Sequence, residues 1–465
     1  MKKQVDLIVA DITELVTMSS GTPGVPGALQ PQAECCPMAP KRHGALMALT
    51  SSSHRARSGP DAMNSLGIIH LGAVAVSKGR IISAGSTDDI LKSYSARKII
   101  QAEGKTVTPG LIDCHTHPVF MGDRSDEFEL KLMGATYQQI AAGGGGIKST
   151  VRKVRNATKA ELKANALRYL ARFIRCGTTT IEAKSGYGLT TADEIKMLVA
   201  IKELNSVERG AYSPAKSGIN SERPEMVPTF LGAHEIPDEY KDNKAGYVDL
   251  IIHEMIPLVA KRKLAEFCDV FCEKNVFEIE ESRQILNAAK KHGLGIKIHA
   301  DEFAPLGGAE LAVELGAVSA DHLMAISDNA IKLMAAKGNK TMAVLLPGTT
   351  FMLGLKSYAP ARRMIDAGLA VALATDFNPG TSFTESLPVI MTIACVKMKM
   401  TPAEALTAVT VNAACALNRQ DLIGSLEPGK QADMVIWDCP SYKHIPYHFG
   451  VNLAGKVIKM GKVIE

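Results

Sequence analysis

The segment Thr108-Pro109-Gly110-Leu111-Ile112-Asp113-Cys114-His115-Thr116-His117 is a short apolar run that ends in a His-x-His pair. Because side chains on a β-strand point alternately to its two faces, His115 and His117 point the same way. Two imidazoles on one face at the end of a strand can bind one metal ion. The pair alone is a weak signal, so its meaning depends on ligands elsewhere in the chain.

Further candidate ligands close two apolar runs far downstream. His299 ends Gly295-Ile296-Lys297-Ile298-His299, and Asp376 ends Val371-Ala372-Leu373-Ala374-Thr375-Asp376. Three imidazoles and one carboxylate suit Zn²⁺ or Fe²⁺ and leave a position for water, which becomes hydroxide near neutral pH. The sequence leaves zinc and iron both open.

The middle of the chain alternates apolar runs with segments of helical periodicity, which favours a (β/α)₈ barrel of the TIM type. A doubly wound sheet is the structural alternative. Eight strand candidates are centred on residues 111–117, 178–183, 227–234, 269–273, 295–299, 317–322, 342–346 and 370–376. In a barrel the carboxyl ends of the strands meet at one face, which would bring together His115, His117, His234, His299, His322 and Asp376.

The two ends of the chain contain short strand patterns, which predicts one small β-sandwich built from both termini. We expect residues 1–107 and 425–465 to form this domain and residues 108–424 to form the catalytic barrel. Residues 19–65 have the composition of a disordered insertion, and residues 206–226 that of a loop insertion. Neither contains a proposed ligand, so we expect activity to be retained and stability to be weaker.

Composition restricts the class of protein. The 465 residues carry a formal charge of +5 without a clustered basic stripe, which argues against nucleic acid and favours a small anionic substrate. No apolar run is long enough to span a membrane, and the N-terminus lacks a signal-peptide core. The nine cysteines are an odd number and lie mostly in apolar segments, as is typical of thiols in a reducing compartment. We therefore expect a cytoplasmic protein.

Several residues near the predicted strand ends are candidates for catalysis. Glu302 follows His299 by three positions, so its carboxylate can take a proton from water and pass it to a leaving nitrogen. His322 can polarise a carbonyl or move a proton, although a structural histidine bonded to Asp321 or Asp376 fits equally well. The same two interpretations apply to His234.

The loops after the first two strands contain candidate substrate-binding residues. Arg124 is placed to form a bidentate contact with a carboxylate, and Tyr137 and Tyr187 lie in loops near the same face. The glycine run at residues 143–146 is not a phosphate-binding loop, because Ile147 precedes Lys148 and the segment follows a helical pattern.

Together these motifs resemble the amidohydrolase superfamily and, within it, the imidazolonepropionase family of histidine degradation. The resemblance covers residues 67–465 apart from 206–226. The residues that carry it are Asp113-Cys114-His115-Thr116-His117-Pro118-Val119-Phe120, Gly134-Ala135-Thr136-Tyr137, Ala142-Gly143-Gly144-Gly145-Gly146-Ile147, Lys184-Ser185-Gly186-Tyr187-Gly188-Leu189, Phe271-Cys272-Glu273-Lys274, His299-Ala300-Asp301-Glu302 and Asp376-Phe377-Asn378-Pro379.

The resemblance implies hydrolysis of the cyclic amide of 4-imidazolone-5-propanoate to N-formimino-L-glutamate, with metal-bound hydroxide as the nucleophile. It implies one zinc or iron ion per chain and a homodimer. By the same resemblance, the metal ligands are His115, His117, His299 and Asp376. The catalytic residues are Glu302, His322 and Asp376. The substrate-binding residues are Arg124, Tyr137, Tyr187, His234 and Asn378.

Two other functions are weighed against this one. Another amidohydrolase, such as a deaminase of a nucleobase-like heterocycle, shares the His-x-x-Glu motif and the strand-end His and Asp, and it would release ammonia. A metal-free scaffold protein that kept the barrel would retain no metal after purification, whereas a full ligand set retains about one ion per chain.

Overall fold

The protein is described from a computed structural model, which covers residues 2–19, 56–135, 139, 143–206 and 223–464. The predicted insertions fall largely outside these ranges, at residues 20–55 and 207–222, and so does Tyr137. Two eight-stranded sheets organise the described chain. One is built from both termini, and the other lies between them in sequence.

The terminal sheet contains strands from both ends of the chain, as the sequence predicts. Its strands are β1 (Lys3–Val16), β2 (Ile68–Ser77), β3 (Arg80–Ser86), β4 (Tyr94–Gln101), β5 (Thr106–Pro109), β14 (Met434–Trp437), β15 (Ala454–Lys459) and β16 (Lys462–Ile464). β5 pairs with β1 on one side and with β14 on the other, so it joins the two ends. Leu7, Val74 and Ile436 contribute to one shared apolar cluster, because alternate residues of these strands point to the same side.

The central sheet is a nearly closed parallel barrel. Its strands, in spatial and sequence order, are β6 (Leu111–Asp113), β7 (Thr178–Lys184), β8 (Glu225–Ala233), β9 (Phe267–Cys272), β10 (Gly295–Ala300), β11 (Ser319–His322), β12 (Met342–Leu345) and β13 (Val371–Leu373). A bridge between Thr116 and Phe377, just beyond β6 and β13, connects the first strand to the last. The predicted (β/α)₈ barrel is therefore confirmed, and the doubly wound alternative is wrong.

Helices follow or precede most strands. They are α1 (Gly59–Asn64), α2 (Thr87–Ser93), α3 (Ser125–Leu132), α4 (Ile147–Asn156), α5 (Lys159–Arg175), α6 (Thr191–Ser206), α7 (Lys244–Leu250), α8 (Ile256–Lys261), α9 (Ile279–Lys291), α10 (Gly308–Leu315), α11 (Asp328–Ala335), α12 (Pro347–Met352), α13 (Ala361–Asp366), α14 (Leu387–Met398), α15 (Pro402–Ala408), α16 (Val411–Cys415) and α17 (His444–Tyr447). A 3₁₀ turn spans Asp238–Tyr240, and a π-helical segment spans Ile251–Met255 between α7 and α8. Within the described ranges, no helix is both long enough and apolar enough to cross a membrane.

The sequence places the end of the first insertion too late. Residues 56–65, predicted to be disordered, include α1, which packs against α13 and α15. Arg57 is buried and its backbone N–H donates to Asn412 Oδ1 at 2.8 Å, while Met63 is fully buried. These tertiary contacts order a segment whose Gly- and Ser-rich composition resembles a linker. At the second insertion, β8 already begins at Glu225, inside the predicted loop of 206–226.

Candidate active site

The first barrel strand carries the His-x-His pair at its carboxyl end. Beyond β6 the backbone stays paired with the chain after β13: the Asp376 N–H donates to His115 O at 3.1 Å, and the His117 N–H donates to Phe377 O at 2.8 Å. This pairing extends the segment, so the two imidazoles point to the same side, with ring centroids 5.3 Å apart.

The structure brings the four predicted metal ligands together. One ligand atom each from His115, His117 and His299 all lie within 4.8 Å of one another. Asp376 Oδ1 lies 3.5 Å from Nε2 of both His115 and His117. The second Asp376 oxygen accepts a hydrogen bond from Thr349 Oγ1 at 2.5 Å, which fixes the carboxylate.

The chemistry of these groups fits a divalent metal ion. Burial holds the pKa values of His115 and His117 well below their usual range, so both rings are neutral, the form that binds metals. His115 Nε2 is buried and has no hydrogen-bond partner among the described residues, although Nδ1 of the same ring pairs with Asp321. Three imidazoles beside one carboxylate form a donor set typical of zinc or ferrous iron.

Beneath these ligands, five fully buried charged side chains form a network across the barrel interior. Lys184 Nζ lies 2.6 Å from Asp269 Oδ2 and 3.0 Å from Glu182 Oε2. Lys297 Nζ lies 2.8 Å from Glu182 Oε2 and 4.0 Å from Asp321 Oδ2. Three carboxylates therefore face two ammonium groups in a region without water-exposed atoms.

The ion pairs offset the effect of burial on Glu182 and Lys184, whereas burial still raises the pKa of Asp321 to about 6. Burial alone would raise the pKa of Glu182, but Lys184 and Lys297 outweigh it and lower that pKa. Burial would likewise lower the pKa of Lys184, but Asp269 and Glu182 raise it instead. The charged forms of Glu182 and Lys184 are thus stabilised by their neighbours in a medium of low dielectric constant.

Two carboxylates of this network lie beside histidines that are predicted metal ligands. Asp321 Oδ2 forms a hydrogen bond with His115 Nδ1 at 2.6 Å. Asp269 Oδ2 lies 3.0 Å from His299 Nδ1, but this contact lacks hydrogen-bond geometry. A carboxylate that accepts the Nδ1–H of an imidazole fixes its tautomer and leaves Nε2 as the metal-binding atom. From the sequence, Asp321 is expected only as a partner of His322, and no local pattern indicates a role for Asp269.

Glu302 and His322 form a pair beside the ligands. Glu302 Oε1 lies 3.6 Å from His322 Nδ1, and both side chains are buried. Burial, followed by the carboxylates of Asp376 and Glu273, raises the pKa of Glu302 well above its usual range. Burial lowers the pKa of His322 to about 3, so this ring is neutral at physiological pH. His322 does not hydrogen-bond Asp321, whose carboxylate faces His115 instead.

Backbone strain is concentrated at the same strand ends. Asp301, His322 and Asp376 have φ values of 49°, 78° and 52°, in the left-handed region that side chains other than glycine rarely adopt. Asp301 is held there by its own carboxylate, which accepts three backbone N–H groups at the start of α10. Such strain persists where surrounding contacts over-determine the backbone, and it is common at active sites.

Aromatic rings form one wall of the site. The His234 ring is stacked on His117, with centroids 5.1 Å apart and an interplanar angle of 16°. Tyr187 is buried, with its ring 5.4 Å from His234 and 5.9 Å from His117. His234 Nδ1 lies 2.9 Å from Gly186 O, so the carbonyl accepts a hydrogen bond from the Nδ1–H and Nε2 is left as an acceptor.

Arg124 packs against the loop that follows β13. Its backbone N–H donates to Pro379 O at 3.2 Å, and its guanidinium lies directly over Gly380. A Cβ atom built on Gly380 would be 1.1 Å from Arg124 Nη2, so only glycine leaves room for this packing. Asn378 shapes the same loop: its Oδ1 accepts the backbone N–H groups of Gly380 and Thr381 at 2.9 and 2.8 Å. Both ends of the Asn378 side chain are thereby engaged within its own turn.

With this geometry established, comparisons with known proteins define the class. A model of the amidohydrolase family matches residues 106–464. The chain therefore belongs to the amidohydrolase family. Membership implies a divalent metal ion, which agrees with the donor set described above.

Relatives of known name narrow the class further. Proteins named imidazolonepropionase from Geobacillus sp. (strain WCH70) and Alkaliphilus metalliredigens (strain QYMF) are 50% and 48% identical to this chain. They cover 86% and 90% of it, and the matches span 92% and 96% of their own lengths. The imidazolonepropionase of Solibacter usitatus (strain Ellin6076) is 50% identical over 88% of this chain and 94% of its own length. The resemblance to the imidazolonepropionase family is thus confirmed.

Solved structures support the fold alone. An adenosine deaminase from Xanthomonas campestris with bound zinc matches with a TM-score of 0.64 at 16% identity, over 100% of this chain and 93% of the other. A triazine hydrolase variant matches with a TM-score of 0.67 at 15% identity, over 98% and 94%. Both have the same barrel and accompanying β structure at identities too low to transfer a substrate.

Proposed function

We propose that this chain hydrolyses 4-imidazolone-5-propanoate to N-formimino-L-glutamate. One observation carries the proposal: three histidines and an aspartate with the chemistry of metal ligands lie together with a buried carboxylate at one end of the barrel, near an arginine. The imidazolonepropionase names of relatives at about half identity support the same substrate. In the reaction one water molecule adds across the ring C–N bond, so the carbonyl carbon gains an oxygen and the ring nitrogen leaves with a proton.

We propose that His115, His117, His299 and Asp376 hold one zinc or iron ion per chain. When bound, the ion supplies Lewis acidity, which polarises the substrate carbonyl and lowers the pKa of a coordinated water. The hydrogen bond from His115 Nδ1 to Asp321 keeps the Nε2 atom of His115 available to the metal, and the Asp269 carboxylate lies 3.0 Å from His299 Nδ1.

Glu302 is proposed to move the proton. Its raised pKa brings the carboxylate closer to neutrality than an exposed glutamate, which suits a group that must accept a proton from water and then release it. We propose that Glu302 then passes this proton to the departing ring nitrogen.

His322 is proposed to support the oxyanion that develops on the carbonyl oxygen. Its low pKa keeps the ring neutral, so it acts as a hydrogen-bond donor without carrying a charge. A preorganised donor of this kind stabilises negative charge in a dry site more than it would in water.

Substrate recognition is proposed for Arg124 and the aromatic wall. The Arg124 guanidinium would bind the propanoate group in a bidentate contact, the geometry that distinguishes arginine from lysine. The rings of Tyr187 and His234 would pack against the imidazolone ring, and Asn378 would shape the loop on which Arg124 rests. Tyr137, the remaining predicted contact, lies outside the described residues.

The test is turnover of freshly prepared 4-imidazolone-5-propanoate with and without a chelator, with the product identified by mass. We expect a product heavier by one water, its loss on chelation, and its recovery when zinc or iron is added back. Release of ammonia would indicate a deaminase instead. No turnover by folded, metal-loaded protein would refute the proposed substrate.

Replacing Gly380 by alanine tests the role of Arg124. We expect Gly380→Ala to raise KM about 10-fold or more, because the new methyl group displaces the guanidinium and weakens a charge-assisted contact. The φ of Gly380 is not in the left-handed region, so alanine introduces no backbone strain. Steady-state kinetics with Gly85→Ala as the control, where a Cβ atom meets nothing closer than 3.9 Å, would isolate the effect. An unchanged KM would contradict the assignment of Arg124.

Assembly and compartment are further parts of the proposal. We propose a homodimer, which the exposed apolar side chains of Phe351, Val396, Tyr447 and Phe449 support, since such patches favour association. We also propose a cytoplasmic location, because the cysteines in the described part of the chain are free thiols, as is typical of a reducing compartment.

A further inference from the structure

A buried glutamate lies behind the aromatic wall and does not touch the metal ligands. Glu194 is fully buried in the first turn of α6. Its carboxylate accepts the backbone N–H of Gly186 at 3.1 Å and those of Gly188 and Leu189 at 2.8 and 3.0 Å. One side chain thus binds three backbone donors of the loop that follows β7.

The carboxylate is held in place by hydrogen bonds. Burial raises its pKa, and the opposing influences are bonds from the Ser185 side chain and from the backbone N–H groups of the loop. Its position at the start of α6 adds the favourable dipole of a helix N-terminus. A carboxylate bound in this way makes strong charge-assisted hydrogen bonds, which fix the loop closely.

The loop that Glu194 binds is the loop that builds the wall. It presents the Tyr187 ring toward His117 and His234, and Gly186 O accepts the Nδ1–H of His234. The loop fits without spare room. A Cβ atom on Gly186, at φ 108°, would lie 2.9 Å from His234 Nδ1, and one on Gly188 would lie 2.5 Å from the backbone nitrogen of Glu194.

We infer that Glu194 is a positioning residue for substrate binding: it fixes the loop of residues 185–189 so that Tyr187 and the correct tautomer of His234 face the substrate ring. The inference rests on the proposed function, in which those two side chains bind that ring. Glu194 itself contacts neither the substrate nor the metal ligands, so its effect passes through the loop backbone.

The test compares Glu194→Gln with Glu404→Gln. Glu404 is the control, because it too is fully buried in the first turn of a helix, α15, and accepts a backbone N–H, from Thr401; unlike Glu194 it also binds an arginine, Arg362, at 3.0 Å. In Glu194→Gln an amide NH₂ replaces one acceptor oxygen in front of the loop donors. We expect KM to rise about 10-fold or more, a smaller change in kcat, and unchanged metal content. Amide hydrogen exchange in the peptide covering 184–190 should become faster in this variant only.

The milder variant Glu194→Asp keeps the charge but shortens the side chain, and it should change KM and exchange in the same direction if the glutamine variant does not fold. A loss of thermal stability like that of Glu404→Gln, with KM and exchange unchanged, would overturn the inference. If the wild type does not act on 4-imidazolone-5-propanoate, the proposed function fails. The exchange measurement needs no substrate and still decides whether Glu194 fixes the loop.

Discussion

Glu302→Gln is expected to reduce kcat by about 10²- to 10⁴-fold, the range over which general acid–base groups contribute. The amide is nearly isosteric with the carboxylate, so packing beside His322 is retained, but it cannot accept a proton from water or pass one to the leaving nitrogen. Glu302 is not among the proposed ligands, so metal content should stay at the wild-type value. KM should change little, because Glu302 is not among the proposed substrate-binding residues.

Steady-state kinetics together with metal analysis would check this result. Glu404→Gln serves again as the control, since it removes a buried carboxylate from a helix start away from the site. We expect this control to lower thermal stability without a comparable loss of kcat. If Glu302→Gln keeps more than about a tenth of wild-type kcat, Glu302 does not transfer the proton, since even the smallest usual contribution of such a group is larger.

The barrel and the convergence of the four predicted ligands could be predicted, because both follow from local sequence patterns. Each proposed ligand closes a short apolar run, and parallel strands of one barrel end at one face. The sequence therefore predicts that His115, His299 and Asp376 meet although they are far apart in the chain. The structure confirms the barrel and brings these side chains together.

The charged network could not be assigned from the sequence, although one signal for it exists. Glu182 and Lys184, like Lys297 and His299, alternate with other residues on one face of a strand, which places charges inside the barrel. Their partners depend on which strands lie opposite each other, and this depends on strand tilt and register, which no local pattern reports. The link from Asp321 to His115, rather than to His322, is such a long-range pairing.

The end of the first insertion and the role of Glu194 could not be predicted for a related reason: both depend on tertiary contacts. The Gly- and Ser-rich composition before Leu66 indicates disorder, but burial of Met63 against the barrel helices orders α1. From the sequence, Glu194 is an ordinary acidic residue in the first turn of a helix, a common and favourable position. Only the folded loop shows that the carboxylate points inward and binds three backbone N–H groups.

Lys184→Met is expected to lower the free energy of unfolding by about 3–5 kcal/mol, the usual cost of removing one partner from a buried ion pair. The substitution leaves Glu182, Asp269 and Asp321 facing the single ammonium group of Lys297, with no water to solvate the excess charge. Urea denaturation at a fixed metal concentration measures the change, because metal binding itself stabilises the folded state.

The control and a double variant decide whether the effect comes from buried charge. Lys105→Met removes a lysine whose partner Asp438 is exposed, so it should cost about 1 kcal/mol or less. Adding Asp269→Asn to Lys184→Met removes the stranded carboxylate, so the double variant should be more stable than the sum of the two single losses predicts. Additive losses would mean that the two groups do not stabilise each other. A Lys184→Met loss no larger than that of Lys105→Met would mean that the barrel interior tolerates the unpaired charge, which a region without solvent should not do.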